Sequence, residues 1–159
     1  MTIGEGSWLY SSYAFLHFAS RKPDAVRIGA MCGVYNGSFF DLGPDGTVTI
    51  GDYSTVVGAI FASNGHVSIG SYCFLAHEVV LADQPVAAPP SGSGATSTGG
   101  APARIVIEDD VWIGTGAVIL AGAHIGRAAI VCAGSIVDFS VPEGTTVAGN
   151  PATVVRRAP

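Results

Sequence analysis

Large aliphatic residues recur at every sixth position through the second half of the chain: Ile107, Ile113, Ile119, Ile125, Val131 and Val137. Two positions before each of the last five stands a smaller residue: Val111, Ala117, Ala123, Ala129 and Ser135. Between them lie polar or glycine-containing stretches. An α-helix has a period of 3.6 and cannot hold a six-residue stripe on one side, whereas short strands joined by tight corners can. The pattern predicts an all-β solenoid in which each coil covers the inner face of its neighbour. From Ile107 to Ile125 is 18 residues, three hexapeptides, the natural length of a three-sided coil.

The stripe extends towards the N-terminus through Ile28-Gly29, Ile50-Gly51 and Ile69-Gly70, which resemble Ile113-Gly114 and Ile125-Gly126. From Ile69 the step of six reaches Leu75 and Leu81; from Ile50 it reaches Val56 and Ala62. The spacings Ile28 to Ile50 and Ile50 to Ile69 are 22 and 19 residues, so the excess is expected in small bulges. Leu42-Gly43-Pro44-Asp45-Gly46 has the turn chemistry for one.

Three stretches depart from the repeat. Trp8 to Ala19 reads as a cap over the first coil, helical or strand-like, within an N-terminal segment 1–27. Residues 84–103, rich in Pro, Gly, Ser and Ala, form an excursion loop within a β-helix domain 28–157, because the repeat resumes beyond them. Gly149-Asn150-Pro151 forces a turn, and Val154-Val155-Arg156-Arg157 reads as a final strand or edge cover.

Composition then narrows the function. The 159 residues suit one domain, and 48% hydrophobic against 12% charged suits a packed chain. Net charge is −5 with Lys22 the only lysine, so a nucleic-acid partner is not expected. Trp8 to Ala19 is too short to span a bilayer and is interrupted by Ser11, Ser12 and His17, so no membrane insertion is expected. Cys32, Cys73 and Cys132 fit no metal spacing. Cys32 and Cys73 fall where a small inward residue is due, as in a protein of the reducing cytoplasm.

The run IEDDVWIGTGAVILAGAHIGRAAIVCAGSIV, followed by VP and AGNPATVVR, resembles the hexapeptide-repeat acyltransferases, most nearly the maltose/galactoside and sugar O-acetyltransferase branch. The resemblance covers about 28–157. It implies a left-handed parallel β-helix, a homotrimer, and acetyl-CoA as co-substrate lying in the groove between two prisms, with no metal. The handedness comes from the resemblance alone, since crossovers are ordinarily right-handed. By the same resemblance Ala133, Gly134 and Ser135 match the element bordering the pantetheine arm. Thr115 matches another arm contact, and Arg156 an arginine that approaches the nucleotide phosphates.

A hydroxyl acceptor needs a base as it attacks the thioester. The family histidine would fall near Gln84 or Ala87, and neither is a histidine. The family asparagine falls near Val56 or Val57, and a basic position is occupied by Phe139. His77 is the candidate base in its place, two residues past an inward aliphatic and so outward at a corner, with Glu78 or Asp83 to raise its basicity. His66 follows a turn, His124 faces outward beside Ile125 in a structural or inter-subunit role, and His17 belongs to the cap.

The expected function is therefore a CoA-dependent O-acyltransferase acting on a small hydroxylated acceptor such as a sugar. A catalytically degenerate trimeric binding or scaffold protein of the same fold is the alternative. Leu75-Ala76-His77 also resembles the γ-class carbonic anhydrases, whose zinc needs a second histidine five residues on; Ala82 stands there.

Overall fold

The computed structural model describes residues 1–83 and 104–156; the excursion loop 84–103 lies outside them. The described chain winds through three parallel sheets in turn. The first face stacks Thr2–Ile3, Val26–Ile28, Thr47–Ile50, His66–Ile69, Arg104–Ile107, His124–Ile125 and Ser140–Val141. The second stacks Trp8–Leu9, Gly33–Val34, Thr55–Val56, Phe74–Leu75, Trp112–Ile113, Ile130–Val131 and Thr146–Gly149, and is finished by the antiparallel strand Ala152–Arg156. The third stacks Phe39–Leu42, Ile60–Ser63, Val80–Ala82, Val118–Leu120 and Ile136–Val137.

Each face sends a column of side chains inward, and the first face adds Val26, Val48, Val67 and Ile105 beside it. On the first face Ile3, Ile28, Ile50, Ile69, Ile107, Ile125 and Val141 lie in register. The second face contributes Leu9, Val34, Val56, Leu75, Ile113, Val131 and Val147. The third contributes Phe40, Phe61, Leu81, Ile119 and Val137. The rings of Phe15, Phe40 and Phe61 stack face to face at 5.1 and 4.8 Å, so the 3-10 turn Ser12–Phe15 closes the third column at its N-terminal end.

The step from first to second face is six residues in every coil, from Ile3 to Leu9 up to Val141 to Val147. Irregularity gathers at the corner between third and first faces, where the bulge at Gly43–Gly46 sits and where the excursion loop leaves. One expectation is corrected in this way. Counting six from Val56 reaches Ala62, but Phe61 is the buried residue and Ala62 faces outward, because the second-to-third step of that coil is one residue short.

The corner between first and second faces repeats one geometry. Met31, Tyr53, Tyr72, Asp110, Ala128 and Gly144 all have φ between 54° and 63°. A left-handed non-glycine residue costs about 1–2 kcal/mol. Here each donates its N–H to the coil before it, as in Tyr53 to Ala30 O and Tyr72 to Asp52 O, both 2.9 Å. The glycine that follows every first-face stripe isoleucine except Ile107 has a different cause. A Cβ on Gly51 would lie 2.6 Å from the backbone of Gly70 and Ser71 in the next coil.

Beneath this corner runs a buried polar ladder. Ser7 Oγ donates to Gly29 O (2.6 Å), Cys32 Sγ to Gly51 O (3.0 Å), Ser54 Oγ to Gly70 O (2.9 Å) and Cys73 Sγ to Glu108 O (3.0 Å). Ser54 Oγ also accepts the N–H of Cys73 at 3.0 Å. Burial pushes the Cys73 thiol up to about 11, so it stays protonated and can donate. Cys32 and Cys73 are thus the small inward residues that the spacing calls for. Ser54→Ala leaves a buried N–H and a carbonyl without this partner and is expected to cost about 1–3 kcal/mol in urea unfolding; a loss below about 0.3 kcal/mol would show that the ladder is redundant.

Candidate functional site

The corner between second and third faces carries most of the residues singled out by resemblance. Asn36-Gly37, Val57-Gly58, His77-Glu78, Thr115-Gly116 and Ala133-Gly134 stack one above another along it. Gly37, Gly58, Glu78, Gly116 and Gly134 all have positive φ. Gly116 N donates to His77 O and Gly134 N to Thr115 O, both at 2.9 Å. A Cβ on Gly116 or Gly134 would meet nothing within 4 Å, so the backbone angle alone selects glycine and the corner stays open. The result is a low exposed rail of Thr115, Gly116, Ala133 and Gly134, with His77 and Glu78 at one end.

The remaining candidates lie elsewhere. Ser135 points into the core, where its Oγ accepts the N–H of Gly149 at 3.2 Å, so only its backbone faces the rail. Arg156 is exposed on the terminal antiparallel strand, paired with Thr146. Asp83 stands at the third corner, beside the root of the excursion loop. Its carboxylate accepts from Ser63 Oγ (2.6 Å), Asn64 N (2.9 Å) and Gly65 N (2.6 Å), which commits it to holding that turn. Asp83 is therefore on a different corner from His77, and His77 has no side-chain hydrogen bond among the described residues.

A second cluster lies on the first face, beside the first corner, and sequence reasoning passed over half of it. His124 Nε2 is 2.7 Å from Glu108 Oε1, and Glu108 Oε2 accepts the N–H of Arg127 at 2.9 Å. The Arg127 guanidinium reaches Asp109 at 2.8 Å. The ring N–H of His124, then the backbone N–H of Arg127, hold the Glu108 carboxyl below its ordinary range. A cleft of about 310 Å³ opens beside the pair, lined by Glu108, His124, Gly126, Ser140, Pro142 and Glu143. Two signals point to Glu108 in the sequence. In register, Val106 opposes His124, which puts Glu108 two residues along the neighbouring strand. Glu108 also breaks the column Gly4, Gly29, Gly51, Gly70 and Gly126, in which every other stripe isoleucine on this face is followed by glycine.

Residues 104–138 match the family model for the bacterial transferase hexapeptide, six repeats. That stretch is the described part of the chain in which the six-residue repeat is most regular. The coils of the chain are those of a left-handed parallel β-helix. A 54-residue stretch is 57% identical to a 2,3,4,5-tetrahydropyridine-2,6-dicarboxylate N-acetyltransferase of Staphylococcus aureus, covering 34% of this chain. The match spans only 23% of that relative's length. Among solved structures, a hexapeptide-repeat acetyltransferase of Vibrio cholerae in complex with acetyl coenzyme A aligns at a TM-score of 0.65 and 22% identity, over 98% of this chain and 70% of that one. A maltose O-acetyltransferase from Clostridium difficile 630 aligns at 0.58 and 28% identity, over 70% and 59%.

The four histidines sort by partner. His17 Nδ1 lies 3.3 Å from Asp41 in the cap. His66 Nδ1 is 2.8 Å from Thr47 Oγ1, and burial, then the Arg104 charge, lower its pKa. A histidine with a lowered folded pKa favours the neutral ring. Its contribution is full above the unfolded value near about 6.5 and is lost as pH falls through that value towards the folded one. His66→Gln is therefore expected to flatten the fall in unfolding free energy between roughly pH 7 and pH 5; an unchanged slope would exclude His66 as its source. His77 and His124 are both exposed, and both flank the second face.

Proposed function

We propose that this chain is a CoA-dependent O-acyltransferase, acetyl-CoA being the donor and a small hydroxylated molecule such as a sugar the acceptor. The observation that carries the reading is the rail of Thr115, Gly116, Ala133 and Gly134, an unbroken low edge one side chain deep along a rigid corner. An extended pantetheine arm lies against such an edge without displacing anything, and exposed backbone amides there can bond its amide groups. Ser135 takes part through its backbone, and the Arg156 charge on the final strand is available to a nucleotide phosphate.

In the reaction the acceptor oxygen attacks the thioester carbonyl and loses its proton to a base. The C–S bond then breaks and the CoA thiolate leaves, taking up a proton. The thioester is already activated, so the protein supplies alignment, a base and donors to the developing oxyanion. His77, with Glu78 beside it, and His124 are the two exposed histidines flanking the second face, so the base is one of them.

A homotrimer accompanies this reading. Its support is the second face, which exposes Phe74, Trp112 and Ile130 on three successive strands and Trp8 on its first strand, Trp112 at 56% and Phe74 at 37%. Aromatic and aliphatic groups repeating at the pitch of the coils suit a partner with the same pitch, a copy of this chain. Free cysteines, two of them buried in the core, suit the reducing cytoplasm. Among the described residues no helix is long and apolar enough to cross a membrane.

An amine acceptor is the second reading, favoured by the Staphylococcus aureus N-acetyltransferase match. A binding or scaffold protein of the same fold is the third, favoured by the lack of a histidine from Gln84 to Ala87. Acetyl-CoA at 100 times its dissociation constant is expected to add about 2.7 kcal/mol to folding and raise Tm by several degrees; no shift at millimolar acetyl-CoA would leave the scaffold. Trp112→Glu puts a charge into the apolar face and is expected to convert trimer to monomer in multi-angle light scattering. A wild-type monomer, or an unaffected Trp112→Glu trimer, would remove the second face as the interface.

A further inference from the structure

We propose that the acyltransferase base is His124, oriented by Glu108 and presented to the rail of the neighbouring copy, so that each active site is built from two chains. The inference rests on the acyltransferase reading above and adds to it which residue takes the proton and from which chain.

The pair has the geometry of a general base. A carboxylate only accepts hydrogen bonds, so the 2.7 Å contact assigns the proton to His124 Nε2 and leaves Nδ1 as a lone-pair acceptor. Glu108 is itself anchored by the N–H of Arg127, so the ring is held from behind. Nδ1 has no hydrogen-bond partner among the described residues, and the ring borders the cleft. The other three histidines are placed differently. His17 has the Asp41 carboxylate at 3.3 Å but lies in the cap, His66 is tied to Thr47 with its basicity lowered, and His77 has no carboxylate in hydrogen-bond contact among the described residues.

Glu108 departs from the local rule. Gly4, Gly29, Gly51, Gly70 and Gly126 occupy the same place in their coils, each donating its N–H to the stripe residue of the next coil. Among the described stripe isoleucines of this face only Ile107 is followed by a residue with a side chain, and the terminal Val141 is followed by Pro142. A glycine serves the fold at five of these places, and the carboxylate that stands at 108 is the one hydrogen-bonded to His124.

Symmetry brings the pair to the rail. With three prisms around a threefold axis parallel to their own and second faces turned inward, the first corner of each copy meets the second corner of the next. Rotation without translation keeps coils level. Glu108 and Thr115 belong to one coil, His124 and Ala133 to the one after it. The cleft of one copy, which opens at Gly126, Pro142 and Glu143 on the first corner, therefore stands opposite Thr115 and Ala133 of the neighbour, at the same height. In the chemical step the acceptor hydroxyl gives its proton to His124 Nδ1 as its oxygen bonds to the acyl carbon. The imidazolium so formed is stabilised by Glu108 and returns the proton to the departing thiolate.

Bromoacetyl-CoA tests this without knowledge of the acceptor. A histidine nitrogen beside the bound acyl group displaces bromide and forms an N–C bond, and peptide mass mapping finds it. Labelling is expected on His124, to be suppressed by excess CoA, and to disappear in His124→Gln while the acetyl-CoA thermal shift is kept. Glu108→Gly, which restores the residue of the other coils, and Glu108→Gln are expected to slow labelling at least tenfold with the thermal shift unchanged. Trimers reassembled from a His124→Gln chain and an Ala133→Trp chain are expected to label the Ala133→Trp chain, which alone is not labelled. A thermal shift together with labelling on His77, or with no labelled histidine, overturns the assignment and leaves the acyltransferase reading standing. Labelling of His124 in unmixed Ala133→Trp trimers overturns the two-chain site. Absence of any shift with acetyl-CoA overturns both readings.

Discussion

Coil-on-coil hydrogen bonding at a fixed strand spacing of about 4.8 Å governs this molecule. Each coil donates and accepts along the prism axis, so the backbone of one lies directly over that of the next. At that spacing a position is defined by its column more than by its neighbours in sequence. Inward columns take isoleucine, valine, leucine or phenylalanine. The column after the stripe isoleucines on the first face takes glycine except at Glu108, because at the glycine positions the next backbone is too close for a Cβ. The left-handed residues at the first corner are tolerated because each gains a bond to the coil before it. The buried ladder of Ser7, Cys32, Ser54 and Cys73 follows the same rule, each side chain answering a carbonyl of the coil above.

The same constraint shapes the candidate site. A stack of identical corners yields a straight rigid edge, and substituting small residues along it gives the rail of Thr115, Gly116, Ala133 and Gly134. Such a scaffold resists change within a column, since altering one coil disturbs two others. Chemistry is therefore introduced by an occasional outward side chain, and Glu108 with His124 is one case. Both side chains end on the outer surface, in reach of solvent.

Much of the architecture was visible in the order of residues, because a six-residue stripe admits few backbone paths. Ile28, Ile50, Ile69, Ile107 and Ile125 all face the core as their spacing requires, and Cys32 and Cys73 fill small inward places. Phe61 shows where counting fails, since one missing residue between faces shifts the phase and pattern alone cannot see it. The site was less visible. His77, Thr115, Ala133 and Gly134 do share a corner, because their spacing is a whole number of coils. Asp83 is near His77 in sequence but one corner removed in space, and its oxygens are occupied by the Ser63–Gly65 turn. Glu108 and His124 are 16 residues apart and look unrelated until the coil length is used to lay one strand beside the other.

The invariant six-residue interval between first and second faces, set against the variable one at the third corner, divides the molecule into a metronome and an expansion joint. Extra length enters only where it cannot alter the pitch of the two corners that flank the second face. Lengthening or replacing the segment at that joint would change what the protein meets at its periphery and leave the spacing of its opposed edges intact. A lineage built on this prism could therefore vary its acceptors through one side of the coil without retuning the other two.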